Sequence, residues 1–479
     1  MRRVDLAIIG GGTAGLIAAF GAAGVGARVL LAERDRTGGD CLWTGCVPSK
    51  ALIAAAELAH GMRHADELGL SPVEPEVDLA EVLRHVHDAQ HVIAEHDSPE
   101  RLRRAGVEFR HAEGRFVEPG RIDVGEERIG YRAALIATGS RPTLPPIDGL
   151  ETVDVFTSDS VWGLDALPDR LVVVGGGAVG CELAQAFARL GSRVTLIELR
   201  PQLLHREEPD AARVVKARLE AEGITVHLGA TATGVQTRGS SRTLVFEGPE
   251  GPGSVPFDRL LVAVGRTPVT DALGLERVGV ETDGSGHVVV DEHLATTGTR
   301  VYAAGDVIDS PRFTHVAAHE GGLVVMNSLF HLRRRPDYER TPWVTFTDPE
   351  VGRIGLTESE ARDRHGDDVI VTRYDHDQLD RAIVAGRTPG FTKLVADGRG
   401  RIVGATVVSP RGGEATAEVA AWMHNGGQLD DLSQAVHAYP TYTLGLQHAA
   451  NEYMREKWFS PRVRAIAKPL LTVLRWLQR

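Results

Sequence analysis

Two copies of one strand–glycine loop–helix–strand pattern, each with an acid 23 residues after its first glycine, predict an α/β fold with two dinucleotide-binding units. A third part, with short β-like runs followed by a helical stretch, reads as α+β. The length of 479 residues allows roughly three domains on a prior of about 150 residues each.

The first unit opens at Val4–Ile9, apolar except for Asp5, as a strand buried in a parallel sheet should be. Gly10-x-Gly12-x-x-Gly15 follows. "LIAAFGAAGVG" reads as a helix stopped by Gly24 and Gly26, and "ARVLLAER" as a second strand ending at Glu33. Residues 51–105 read as mostly helical. "RAALIATGSRP" is a strand entering a Gly-Ser turn, and Pro142, Pro145 and Pro146 mark a linker near 141–149.

The second unit spans 170–200: a strand, Gly175-x-Gly177-x-x-Gly180, a helix stopped by Gly191, and a strand ending at Glu198. "LLVAVGRTP" and "RVYAAGDV" are further apolar runs, and 331–343 is a charged boundary containing Pro336. Beyond it, Trp343–Phe346 and Ile402–Val408 read as β-like, with a helix from about 414.

Each loop carries a chemical expectation. The first glycine makes the tight turn, the second admits the pyrophosphate, and the third lets the helix pack on its strand. The helix N-terminus then faces the phosphates. Glu33 and Glu198 can each accept the hydroxyls of a ribose. Two such sites suit a flavin nucleotide and a nicotinamide nucleotide, between which hydride passes. Glu198 would repel a 2′-phosphate, which favours NADH over NADPH, although Arg200 and Arg206 lie nearby in sequence.

Composition narrows the class. A net charge of −12 argues against a nucleic-acid partner. Three cysteines are too few for a disulfide scaffold and indicate a reducing compartment, so a cytoplasmic protein is expected. No apolar run reaches 18 residues, and "MRRVDLAIIGGG" reads as a first strand rather than a signal peptide.

Cys41 and Cys46 lie in "GGDCLWTGCVPSK". On one ideal helix their Cα atoms would be about 8.6 Å apart, beyond the roughly 4.4–6.8 Å of a disulfide. If they bond, a regular helix cannot hold both. A redox couple, free thiols, a staple and part of a metal site all remain open, but four zinc ligands are not in view.

That stretch, taken with "ATGSRP", "GGGAVGCELA", "AVGRTP" and "AAGDV", resembles the class I pyridine nucleotide–disulfide oxidoreductases over residues 4–453. The family includes lipoamide dehydrogenase, glutathione reductase and mercuric reductase. The resemblance implies a homodimer with FAD-binding residues at 1–149 and 267–338, NAD(P) binding at 150–266, and an interface domain at 339–454. It makes Cys46 the thiolate at the flavin and Cys41 the interchange thiol. Lys50 would lie by the flavin, paired with Glu182 where the nicotinamide arrives. Thr138, Gly139, Gly265, Asp306 and Ala317 join the cofactor-binding residues. Cys181, alone on a helix, reads as packing, and no metal site is expected.

Thiol-exchanging members end in His-Pro-Thr with a Glu three residues after the Thr. Here "HAYPTYTLG" puts Tyr439 at the His position and Leu444 at the Glu position, with His437 two residues earlier. A phenol with a pKa near 10 is a poor base at neutral pH. Mercuric reductases also lack the His, but they carry a cysteine pair near the C-terminus, and this chain has no cysteine after Cys181.

The expectation is a FAD enzyme passing hydride from NADH (or NADPH) to the Cys41–Cys46 disulfide and on to a small-molecule acceptor, a disulfide or a metal ion. The alternatives are a quinone reductase or diaphorase fed directly by flavin, and a nucleotide-binding partner protein without catalysis. Residues 455–479 form a basic tail whose Val463, Ile466, Ala467, Leu470, Leu474 and Leu477 share a helical face, with Pro469 expected to bend it. Such a tail suits either the inner face of a membrane or packing on the dimer.

Overall fold

A computed structural model describes residues 2–478, except for the side chains of Glu456 and Arg462. Arg479 of the basic tail, and those two side chains, therefore lie outside the described residues. Two compact units divide the chain: Met1–His64 with Pro72–Leu199 and Gly223–Tyr338, and Ala65–Ser71 with Arg200–Glu222 and Glu339–Arg479.

The first unit holds two sheets built around parallel strands, one of them extended by the antiparallel strands Arg121–Val124 and Gly114–Glu118. In one, Val107–His111, Val29–Glu33, Arg3–Ile9, Glu127–Ile136 and Val301–Ala303 lie side by side, with Leu6 opposite Val29, Ile8 opposite Leu135 and Ala303 opposite Ile136. Helices on both faces require apolar runs in such strands. Leu6, Ile8, Leu30, Leu31, Leu135 and Ile136 are accordingly fully buried. This register brings the ends of the strands into line, so that Gly10, Glu33, Ala137 and Ala304 follow or close them at one edge. Ligands of doubly wound sheets bind at that edge.

The other parallel sheet runs Thr225–Leu228, Arg193–Glu198, Arg170–Val174, Arg259–Val262, Val155–Thr157. Its C-terminal edge presents Gly175 and Glu198. Residues 51–105 are mostly helical, as the sequence suggests: Cys46–Arg63, Leu79–Ala94 and Pro99–Arg104.

Two features differ from the sequence reading. Thr231–Arg238, Ser241–Gly248 and Gly251–Phe257 form an antiparallel sheet. Only one face is covered, by residues such as Leu244, Phe246 and Phe257, and its "GPEGPG" turn imitates a loop. The expected linker begins as a strand, because Ser140–Pro142 pairs with Arg266–Pro268.

The second unit carries an antiparallel sheet in the order Pro342–Thr345, Glu350–Gly355, Ile402–Ser409, Phe391–Ala396, Ile370–Asp375. Gly412–His424 and Leu444–Trp458 pack on it around Ile354, Leu394, Val407 and Leu446. Pro461–Leu477 is a helix that continues through Pro469. Among the described residues no helix is long and apolar enough to cross a membrane.

Candidate active site

The two glycine loops repeat each other atom for atom in their constraints. Gly10 and Gly175 have φ of +109° and +112°, and a Cβ on either would lie 2.2 Å from the Ala137 carbonyl or 2.4 Å from that of Ala263. A Cβ on Gly15 or Gly180 would strike the carbonyl of the first glycine at 1.9 or 1.8 Å. Around the middle glycines there is room: a Cβ on Gly12 has only the Gly39 Cα at 3.9 Å, and one on Gly177 meets nothing within 4 Å. Space above the second glycine, at a helix start, is what a pyrophosphate needs. The carboxylate of Glu33 accepts the Gly11 N–H at 2.6 Å, and that of Glu198 accepts the Gly176 N–H. Each acid is thereby held at the mouth of its loop. The residues present fit a dinucleotide at both places.

The redox segment is docked on the first loop. Gly38 donates its N–H to the Gly11 carbonyl at 2.9 Å, and a Cβ on Gly39 would lie 2.7 Å from the Gly12 Cα. Cys41 sits in the short helix Gly39–Trp43, and Cys46 starts the next helix, Cys46–Arg63. The break is local chemistry. The Asp40 carbonyl accepts the N–H groups of Thr44 and Gly45, and a Cβ at Gly45 would come within 2.9 Å of that oxygen. Trp162 donates to the Thr44 carbonyl at 3.0 Å, and Gln90 donates to those of Leu42 and Trp43 at 3.0 and 2.7 Å. The turn that separates the cysteines is thus tied on several sides.

Both cysteines are thiols here, Cys46 exposed and Cys41 half-buried. The Cys46 thiol is pushed down to about 6, first by a hydrogen bond from Cys41, then by the Thr314 hydroxyl and the Lys50 charge, against burial and Glu182. Its place at a helix N-terminus acts in the same direction. Cys41 moves the other way, because its thiol donates to Cys46 and is partly desolvated. Thr314 Oγ1 lies 3.4 Å from Cys46 Sγ. Lys50 is one helical turn along and its Nζ reaches Glu182 Oε2 at 2.8 Å; the Glu182 side chain is buried. Cys181 is buried, with its thiol on the Gly176 carbonyl at 3.4 Å, and burial raises its pKa.

At the far ends of the strands, Asp306 accepts from the Ser140 hydroxyl at 2.8 Å. Arg266 is the hub of this corner. It contacts Asp40, reaches Asp159 and Ser158 at 3.2 Å, and donates to Ser140 Oγ at 2.7 Å. Burial, with the Asp159, Asp306 and Glu33 carboxylates, lifts Asp40 to about 6 despite Arg266. Thr138 donates to the Val269 carbonyl at 2.6 Å, and Gly265 accepts from the Thr143 N–H at 2.9 Å. The Ala317 Cβ lies where a Cβ on Gly305 would be 3.5 Å away.

Tyr439 and His437 belong to the second unit. Tyr439 is 71% exposed and donates to Asp380 at 2.9 Å, which raises its pKa. His437 Nε2 lies 2.8 Å from Glu418, and Leu444 is buried. Sequence reasoning singled out neither Thr314, Arg266, Asp40, Gln90 nor Trp162 as site residues. Arg266 follows the quoted Gly265 and Asp40 precedes Cys41, so proximity to a motif was an available signal for those two. Among the described residues no group of three or more His, Cys, Asp or Glu could hold a metal ion.

Residues 4–321 match the family model described as pyridine nucleotide-disulphide oxidoreductase, and residues 341–450 match the dimerisation domain of that family. A mercuric reductase of Streptomyces lividans is 39% identical over 456 residues, covering 94% of this chain and 96% of its own. A dihydrolipoyl dehydrogenase of Haloferax volcanii is 36% identical over 462 residues, covering 93% and 95%. A Cu(II) complex of the HOCl-induced flavoprotein disulfide reductase RclA from Escherichia coli superposes with a TM-score of 0.84 at 26% identity, covering 94% of this chain and 100% of that one.

Proposed function

Because the chain belongs to the pyridine nucleotide–disulfide oxidoreductases, FAD-dependent enzymes with NAD(P)H as donor, we propose that it uses NADH and that its Cys41–Cys46 pair delivers electrons to a soft, thiol-binding metal ion. The observation that carries this reading is the hydrogen bond from Tyr439 to Asp380 at 2.9 Å. Cys46 is the acidic member of the pair, and Cys41 is held as a thiol by donating to it. To attack a disulfide, Cys41 must lose that proton to a base. Tyr439, at the position where thiol-exchanging relatives place a histidine, is a phenol made still less acidic by Asp380. A soft cation needs no dedicated base, since its binding to the sulfur acidifies the thiol and the proton passes to water.

In this reading the domains are 1–149 with 267–338 for FAD, 150–266 for the nicotinamide nucleotide, and 339–454 for the interface of a homodimer. The glycine loops at 10–15 and 175–180 hold the two pyrophosphates, with Glu33 and Glu198 at the riboses. Thr138, Gly139, Gly265, Asp306 and Ala317 line the flavin side. The bound flavin and nicotinamide supply the hydride chemistry. Lys50, braced by Glu182, presents a positive charge beside Cys46. Two electrons and one proton open the Cys41–Cys46 disulfide, leaving thiol at Cys41 and thiolate at Cys46, with Thr314 donating to the latter. Overall, NADH and a divalent soft ion give NAD⁺, the reduced metal and one proton. Glu198 disfavours a 2′-phosphate, so NADH should outpace NADPH.

The test is anaerobic reduction by each nicotinamide, followed by thiol-complexed soft metal ions, lipoamide, glutathione disulfide and a quinone as acceptors. Metal turnover that vanishes in Cys41→Ser and Cys46→Ser, with flavin retained, is the expected result. Faster turnover of either disulfide would overturn the metal reading, and a strong NADPH preference would overturn the coenzyme assignment. Direct delivery from flavin to a quinone is the second reading, favoured by the exposed amphipathic helix Pro461–Leu477. It predicts quinone turnover unchanged in both Ser variants.

A further inference from the structure

The helix Pro461–Leu477 presents an apolar surface that the rest of its own chain leaves open. Ile466, Leu470, Val473, Leu474 and Leu477 are all exposed. At 100° per residue they fall within an arc of about 160° that also contains Val463 and Leu471. Contiguous exposed apolar surface of this kind marks a docking face.

Two observations say what it docks on. The first is charge. From Lys457 onward the sequence has six basic residues and no acidic one, in a chain whose net charge is −12. Arg464, Lys468 and Arg475 line up along one border of the apolar arc, where long cationic side chains can reach lipid headgroups while the arc enters the acyl region. The second is aromatic placement. Trp458 precedes the helix start and Trp476 lies near its end, 60% and 74% exposed. An indole at each end suits the polar–apolar boundary of a bilayer. Ser460 caps the helix by accepting the Val463 N–H at 3.4 Å, so the helix starts as a defined element. Pro469 falls outside the apolar arc, and the helical bond it forfeits is on the far side. With 17 residues and three described cations, the helix lies in the interface rather than crossing it.

We propose that Pro461–Leu477 is an interfacial helix that seats the enzyme on an anionic lipid surface. This does not depend on the identity of the electron acceptor. Electrostatic attraction of about 1 kcal/mol per cation near an anionic surface makes three cations worth roughly a hundredfold in partitioning.

The experiment is co-sedimentation of the flavin-loaded full chain with vesicles of phosphatidylcholine alone or with phosphatidylglycerol added. The expected result is binding to the anionic vesicles only, weakened by salt. Arg464→Gln with Lys468→Gln and Arg475→Gln should cut it roughly a hundredfold, and Leu470→Glu with Leu474→Glu should abolish it. Both variants should keep flavin absorbance and elution volume. Equal sedimentation of the wild type and both variants overturns the proposal. So does a change from dimer to monomer in the leucine variant without vesicle binding by the wild type, which would assign the face to a second copy of the chain.

Discussion

Cys46 and Cys41 are chemically unequal before any substrate arrives. Cys46 begins a helix, accepts from Thr314 and Cys41, and has Lys50 a turn away, which together bring its thiol to about 6. In the reduced enzyme, alkylation of Cys46 should follow an inflection near pH 6, with reactivity lost as pH falls through it. Thr314→Val removes one donor to the thiolate and should raise that inflection by about one unit, as the pH profile of alkylation will show. Tyr439 carries the matching prediction for Cys41. An imidazole titrates near neutrality where the Asp380-bound phenol does not. Tyr439→His should therefore raise disulfide turnover, by at least tenfold on the usual scale of general-base catalysis, while leaving NADH reduction of the flavin unchanged. Steady-state rates with lipoamide or glutathione disulfide check the first, and stopped-flow bleaching checks the second.

The glycine-loop elements show what a sequence can and cannot disclose. Both strand–loop–helix–strand units were legible, because buried parallel strands are apolar throughout and the three glycines meet three separate steric demands. The antiparallel strands at 231–257 were not, because glycines, prolines and threonines in "TATGVQTR" and "GPGSVPF" blur the alternation that one covered face imposes. Nor were Glu350–Gly355 and Phe391–Ala396, which are buried on both faces and so show no alternation. The same distinction runs through the candidate site. Glycines, cysteines and the acids that end the second strands announce themselves by spacing. Thr314 comes 268 residues after Cys46, and Gln90 and Trp162 reach the redox turn from separate segments, so only the folded chain brings them together. The cofactor roles proposed for the two loops can be tested separately. A methyl on Gly180 would sit 1.8 Å from the Gly175 carbonyl, forcing the second helix off its strand. With the nicotinamide nucleotide at this loop, as proposed, Gly180→Ala should lower kcat/KM for NADH about a hundredfold, the scale of a misplacement of about 1 Å. Flavin content should stay at the wild-type level, as absorbance of the purified protein will report.

Over the whole molecule, response to acid has an identifiable source. The second unit contains a buried acid-sensitive group. His376 is fully buried, with Nε2 at 2.9 Å from Thr392 Oγ1, while Nδ1 has no hydrogen-bond partner among the described residues. Burial lowers its pKa to about 4. An unfolded histidine titrates near 6.5, so between these values the unfolded chain binds a proton that the folded unit refuses. Stability is then complete above about pH 6.5 and is lost as pH falls towards 4. The difference corresponds to about 3 kcal/mol. His376→Gln cannot titrate and keeps a polar side chain that can meet Thr392. Urea unfolding followed between pH 7 and pH 4 should show a transition of the second unit that weakens with acid in the wild type and is flatter in the variant by about that amount. The transition of the first unit should be the same in both proteins. A wild-type acid response identical to that of the variant would mean that His376 accepts its proton without unfolding the sheet around it, and the acid limit would then belong to the carboxylates.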